Sequence, residues 1–214
     1  MNISLHHIGK RFRSEWVFRD VDLVIEPHTH LAILGGNGSG KSTLLQILSG
    51  YAGASEGRIV WEEHGNRIHR DDVFRKVSVC APYMQVYEDF SLVENVEFFL
   101  RFRSLSHGMN ADAFADRLVL HTHRHKPLRF FSSGMRQRVK LGLALFADVP
   151  VVLLDEPVSH LDKAGVAWFR ECVEGISDKI VCVASNSHTD ETASCTQFID
   201  VSQFKNGARA ATNR

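Results

Sequence analysis

Gly35, four intervening residues and then Gly40-Lys41-Ser42 form a spacing that can cradle phosphate. Each residue type has a chemical reason. Glycines at 35, 36, 38 and 40 let the backbone take positive φ and approach an anion with no Cβ in the way. The N–H groups of Asn37, Gly38, Ser39 and their neighbours can then converge as an anion nest. A helix starting near Lys41 would add its positive end. Lys41 could reach the outer phosphates, and the Ser42 hydroxyl, followed by Thr43, could ligate Mg²⁺. The surroundings fit. His30-Leu31-Ala32-Ile33-Leu34 reads as a buried strand entering the loop. Residues 42–49 carry leucines at helical spacing, and Gly50 is placed to end the helix.

A second cluster is acidic. Val151-Val152-Leu153-Leu154 is apolar without alternation, as expected of a strand covered on both faces in a parallel sheet. Asp155 stands at its carboxyl end, where open α/β sheets bind ligands, and could hold Mg²⁺. Glu156 follows and could polarise an attacking water as general base. Pro157 prevents the strand from continuing.

Two further motifs complete an ordered set. Phe131-Ser132-Ser133-Gly134-Met135 precedes a segment with Leu141, Leu143 and Leu145. A hydroxyl, a glycine and a helix N-terminus there make a second anion site. Ser159-His160-Leu161-Asp162 follows the acidic strand.

Together these motifs resemble the ATP-binding subunit of ABC transporters, over nearly the whole chain. The segment 131–135 resembles the family signature LSGGQ, matching at Ser132 and Gly134 and departing at Phe131, Ser133 and Met135. The resemblance implies that Ser132, Ser133, Gly134 and Met135 cap the γ-phosphate of ATP held by a second subunit. It also implies that 159–162 is the D-loop, with Asp162 at the dimer seam. The family's adenine-stacking aromatic maps to Phe12 after Lys10-Arg11, with Trp16 as competitor. At the Q-loop, counting back from Phe90-Ser91-Leu92-Val93-Glu94-Asn95 places Pro82 where the family has Gln; Gln85 is nearby, in a shifted register. Strand Ile180-Val181-Cys182-Val183-Ala184 ends in Ser185-Asn186 where the family has Thr-His or Ser-His. Asn186 is assigned to that switch position, and His188 lies two residues on. An amide can hydrogen-bond a phosphate but cannot carry charge or move a proton as imidazole does. These departures resemble an atypical branch of single-domain ABC ATPases, similar to haem-export subunits of cytochrome c maturation.

The fold implied is α/β, of the P-loop NTPase type: a RecA-like parallel core sheet, a small antiparallel β-subdomain and a helical signature subdomain. One domain over 1–205 is expected, with a helical insertion at about 91–148 and a flexible tail at 206–214. Residues 3–8 and 17–25 read as antiparallel strands, extended by 58–61, with a turn at Gly65-Asn66. The stretch from Ser91 to about Leu128 reads as helices, opened by the capping box Ser91-Leu92-Val93-Glu94.

The chain has 214 residues, 25 basic and 25 acidic, hence no net positive field to draw in nucleic acid, and no nucleic-acid partner is expected. Arg136, Arg138 and Lys140 read as a solvated helix face. Its 4 cysteines show no paired spacing and read as reduced thiols. His6-His7, His28-Thr29-His30 and His121-Thr122-His123-Arg124-His125 read as solvated loop, since nothing nearby completes a metal shell. No segment reaches the ~20 apolar residues that span a bilayer. The resemblance therefore implies ATP and Mg²⁺ as cofactors. It implies a second ATPase subunit (an identical copy) and a multi-span membrane permease as partners. The location implied is cytoplasmic, peripheral on the inner face of the membrane. One or more of Tyr83, Tyr87 and Phe99 is expected to contact the permease, the alternative for each being packing within the helical subdomain. The alternative reading is a soluble ATP switch with weak hydrolysis and no membrane partner.

Overall fold

The computed structural model describes residues 1–186 and 190–205. His188 and the expected tail at 206–214 lie outside the described residues. Two sheets carry the chain. The antiparallel one is built from β1 (Asn2–Phe12), β2 (Glu15–Ile25), β4 (Glu56–Glu63) and β5 (Asn66–Ile68), in the order β2-β1-β4-β5. β1 and β2 form a hairpin in which Ile3 faces Ile25, Leu5 faces Leu23 and Phe12 faces Glu15. Arg13 takes a left-handed conformation (φ 55°) in the tight turn. His6 and His7 lie within β1, not in a loop. His7 sits at a register shift with φ 50°, and its ring nitrogen is 2.6 Å from Asp20 and 3.3 Å from Asp22.

The other sheet is parallel throughout, in the order β6-β7-β8-β3-β9, from β3 (His30–Leu34), β6 (Val77–Cys80), β7 (Val151–Asp155), β8 (Ile180–Ser185) and β9 (Gln197–Asp200). β3, β7 and β8 are buried along their whole lengths. Alternate side chains of these strands feed two cores. Leu31, Ile33, Val151, Leu153 and Cys182 pack with α1 (Lys41–Leu48) and the antiparallel sheet. Ala32, Leu34, Val152, Leu154 and Val181 pack on the other face with α2 (Leu92–Leu100), α3 (Ala111–Arg117), α4 (Ser133–Leu145) and α5 (Lys163–Glu174). Such two-sided burial is why these strands read as continuous apolar runs. His30 opens β3 and is buried, its Nε2 2.8 Å from the Ile176 carbonyl. The strand reading of His30 therefore holds and the solvated-loop reading of 28–30 fails at this residue, because a carbonyl partner lets the imidazole be buried.

α1 ends as expected, with Gly50 left-handed (φ 75°) just beyond the last turn. The capping box of α2 is formed on both sides, Ser91 Oγ accepting from Glu94 N and Glu94 Oε2 accepting from Ser91 N. Beyond it, the expected continuous helices are shorter. α2 and α3 are separated by a turn around Ser106–Gly108, and residues 118–132 run through single 3-10 turns. Val119 is left-handed (φ 58°), which stops α3, and Leu128 N donates to the distant Phe90 carbonyl. Buried Lys179, just before β8, clamps this region to the sheet. Its Nζ donates to the Ala147 carbonyl at 2.6 Å, to Ser106 Oγ at 2.9 Å and to the Leu145 carbonyl at 3.3 Å. Burial lowers its pKa.

Burial also pushes the Cys80 thiol up to about 12 and those of Cys172 and Cys195 up to about 11. Among the described residues all four cysteines are free, buried thiols, behaving as small hydrophobes.

Candidate active site

The loop from Gly35 to Gly40 leaves β3 and turns into α1. Gly35, Gly38 and Gly40 all take positive φ (143°, 73° and 107°), and Ser39 N donates to the Gly36 carbonyl at 3.1 Å. Gly40 is fixed by space as well. A Cβ there would lie 2.5 Å from Val17 and 2.8 Å from Phe18, so the loop's last residue packs directly on β2. Gly36, Asn37 and Gly38 stay exposed. Ser39 Oγ is buried with no hydrogen-bond partner, an orphan that a phosphate oxygen would satisfy. No acid stands in the first turn of α1, so its positive end is unneutralised.

Lys41 is buried, and its ammonium is fully engaged. It donates to the carbonyls of Gly35 (2.8 Å) and Gly36 (3.2 Å) and to Asn186 Oδ1 (2.7 Å). Asn186 Nδ2 donates in turn to Glu156 Oε1 at 3.2 Å. The structure thus brings Lys41, Glu156 and Asn186 into one chain of contacts. Glu156 is itself left-handed (φ 48°), and its N–H donates to the Ala184 carbonyl at 3.0 Å. A non-glycine residue held there costs about 1 kcal/mol, which the flanking β7 and β8 must over-determine.

Asp155 ends β7 and is buried. Burial raises its carboxyl pKa, and a hydrogen bond to the exposed Ser42 offsets part of that rise. Hydroxyl and carboxylate oxygens meeting at one point form the hard-oxygen donor set that Mg²⁺ prefers. Thr43, next in α1, is half-buried. The sequence reading missed Glu191, because nothing in its polar surroundings marks it. Burial raises its pKa, Ser185 and the Val158 N–H hydrogen-bond its carboxyl, and the charges of Glu156 and Lys41 act on it. Gln137 was also missed. It is buried in α4 and donates to the Pro157 carbonyl at 2.9 Å, bracing the turn after Glu156.

The signature residues lie elsewhere on the surface. Ser132 caps α4, its Oγ accepting from Met135 N at 3.2 Å. Ser132 and Ser133 are exposed, while Gly134 and Met135 are half-buried. A Cβ on Gly134 would lie 3.0 Å from the His160 carbonyl, so the signature abuts the D-loop segment. Asp162 caps α5, accepting from Gly165 N at 2.7 Å, and pairs with Arg138 at 3.6 Å. Arg138 also lies over Trp168, and Arg136 donates to the Phe131 carbonyl. These arginines are therefore not the solvated face that the charge run suggests; Arg138 meets Asp162 and Trp168, and Arg136 reaches Glu88 at 3.8 Å, all distant in sequence. Among the described residues no hydrogen bond or ion pair joins the signature to the phosphate loop.

Phe12 is 55% exposed at the end of β1, with Lys10 Nζ 5.2 Å from its ring centroid, which excludes a core role. Trp16 is flanked instead by Arg11 and Arg19. Pro82 and Gln85 are exposed in the turn after β6. Below that turn opens an apolar cavity of about 480 Å³, lined by Tyr51, Phe74, Tyr87, Phe98, Phe99 and Phe102 among others. Tyr83 and Tyr87 are exposed, and Phe99 is half-buried against the core.

Comparison with known proteins accounts for this arrangement. The sequence profile of the ABC transporter family matches residues 18–159. The cytochrome c biogenesis ATP-binding export protein CcmA of Mesorhizobium japonicum is 31% identical over 82% of this chain and 86% of its own length. The sulfate/thiosulfate import ATP-binding protein CysA of Nitrosomonas europaea is 33% identical over 80% of this chain, which spans only 50% of that relative's length. In fold, a structure of an ATP-binding protein from Pyrococcus furiosus superposes with TM-score 0.80 at 20% identity, over 95% of this chain and 99% of that one. A dimeric ATP-binding cassette bound to ADP and Pi gives 0.76 at 20% identity, over 92% and 93%. The fold is that of an α/β P-loop NTPase, and the chain belongs to the ABC transporter family as one of its ATP-binding, ATP-hydrolysing subunits.

Proposed function

We propose that this ATPase powers a separate multi-span membrane subunit, docked in the apolar cavity below the turn after β6. The observation that carries this is the cavity itself. Tyr51, Phe74, Tyr87 and Phe102 are large, more than half exposed and gathered at one opening, where water solvates them poorly. Among the described residues no helix is long and apolar enough to cross a membrane, so the passage belongs to the partner. The protein would lie on the cytoplasmic face of the membrane.

The catalytic reading follows from the site. Phe12 offers an exposed ring to adenine. The loop 35–43 and Lys41 bind the phosphates, Lys41 exchanging its loop carbonyls for phosphate oxygens. Mg²⁺, held by Ser42 and Asp155, would neutralise developing phosphate charge. Glu156 takes a proton from the attacking water. Ser132 and Ser133 stand exposed, with Gly134 and Met135 half-buried beside them and away from their own loop, which fits capping of ATP by 132–135 on a second copy paired head to tail, with Asp162 at the seam. Contacts made only in the closed pair let ATP shift the equilibrium toward closure. No nucleic-acid partner is invoked.

The relatives named for cytochrome c biogenesis export and for sulfate/thiosulfate import differ in their named tasks, so the substrate rests with the membrane partner. A soluble ATP switch is the second reading, favoured by Pro82 and Asn186 at the two altered positions. Recovery of a tagged Glu156→Gln variant with Mg-ATP from native membrane separates the two. A multi-span protein in near-equal amount supports the transporter. Only soluble partners, or a bare pair of identical chains, supports the switch.

A further inference from the structure

A second cavity, of about 250 Å³, lies between α1 and the turn after β6. Its lining includes Gln46 and Ser49 at α1, Tyr83 and Met84 of the turn, and Asp155 at the end of β7. Gln46 follows Ser42 by one helical turn, so the two share a face of α1. Helical side chains lean toward the N-terminus, which carries the Gln46 amide toward Ser42. Gln46 is half-buried, and among the described residues its carboxamide makes no hydrogen bond. Ser49, in the same lining, donates its hydroxyl to the Gln46 main-chain carbonyl at 2.9 Å. Pro82 has no side-chain donor or acceptor, and Gln85 lines the larger cavity.

We propose that Gln46 is a positioning residue for the divalent cation, holding a water of the ion bound by Ser42 and Asp155. The chemistry is matched. Mg²⁺ keeps several of its waters, and each needs an oriented acceptor or donor. A carboxamide supplies both, its oxygen for the water and its nitrogen for the buried Asp155 carboxylate. Asp155 is buried in the same lining, so a neighbouring amide is one of few groups able to support its carboxylate in place of solvent. The inference rests on the ATPase reading and adds a residue to its metal site.

The test is Mn²⁺ affinity by paramagnetic resonance of the full chain with ATP, in a Glu156→Gln background that stops turnover. Nucleotide affinity is measured in parallel in EDTA. Gln46→Leu should weaken Mn²⁺ binding about 10-fold or more, as loss of an outer partner does. Its ATP affinity in EDTA should stay at the parent value. Gln46→Glu, which keeps the length and an oxygen, should retain Mn²⁺. Parent-like Mn²⁺ affinity in Gln46→Leu would overturn the proposal. So would equal losses in both variants, or a parallel loss of ATP affinity in EDTA, since either makes Gln46 a packing residue. Failure of the parent chain to bind ATP at all would instead sink the ATPase reading.

Discussion

The ammonium of Lys41 donates to Asn186 Oδ1 at 2.7 Å, tying the phosphate loop to the end of β8. The same amide reaches Glu156 with its nitrogen, so a neutral group bridges a cation and an anion. An amide can hold both partners but cannot change charge as the reaction proceeds. We expect slow basal hydrolysis limited here. Asn186→His should raise turnover of the assembled complex severalfold and introduce a titration near pH 6.5, the ordinary imidazole range. Steady-state phosphate release across pH checks it; unchanged turnover sinks the idea.

Glu156→Gln should retain ATP binding while lowering turnover by about 10² to 10⁴, the usual worth of a general base. Loss of nucleotide affinity alongside activity would show that the left-handed turn at Glu156, not its charge, had been damaged.

Burial holds the Asp155 carboxyl above the ordinary carboxylate range. The folded, ligand-free protein therefore binds more protons than the unfolded chain between the ordinary and the raised pKa. Stability from this group is full below the ordinary value and falls as pH rises through the raised one. Glu191 acts with the same sign. Asp155→Asn should therefore raise the neutral-pH Tm of the ligand-free protein and flatten its fall with pH, while abolishing Mg²⁺-dependent hydrolysis. Thermal melts from about pH 4 to pH 8 test the first part; phosphate release tests the second.

Tyr87 stacks on Phe90 and meets Phe98 edge-on, yet stays 54% exposed at the cavity mouth. Tyr87→Glu should leave the fold intact and abolish recovery of the membrane subunit. Undiminished assembly would remove Tyr87 from the docking surface.

Ser132→Ala should cost about 1 kcal/mol through loss of the α4 cap. Its larger effect should be on hydrolysis, and only where two copies meet. Mixing Ser132→Ala with Lys41→Ala chains should leave one competent site per pair, whereas either variant alone should leave none. No recovery on mixing would count against head-to-tail pairing.

The strands of the parallel sheet were legible because both their faces are buried, as at Val151–Asp155. The phosphate loop was legible because its glycines and lysine act within a few residues of one another. Contacts between distant segments left no pattern. Arg138 with Asp162, Gln137 with the Pro157 carbonyl, and Glu191 near Glu156 each depend on how α4, α5 and β8 are laid together. His30 misled because one polar residue can enter a buried strand when a carbonyl waits for it. The region from Val119 to Phe131 misled because its backbone bonds close single turns, while Leu128 and Arg129 donate to the distant Phe90 and Glu88 carbonyls.

Lys179 gives the molecule a fulcrum. One ammonium, just before β8, holds both the turn between α2 and α3 at Ser106 and the end of α4 at Leu145–Ala147. With its two ends pinned to one ammonium, the α2–α4 region would answer a partner seated beside α2 as one lever, with Ser132 at the opposite end of α4 from the pin.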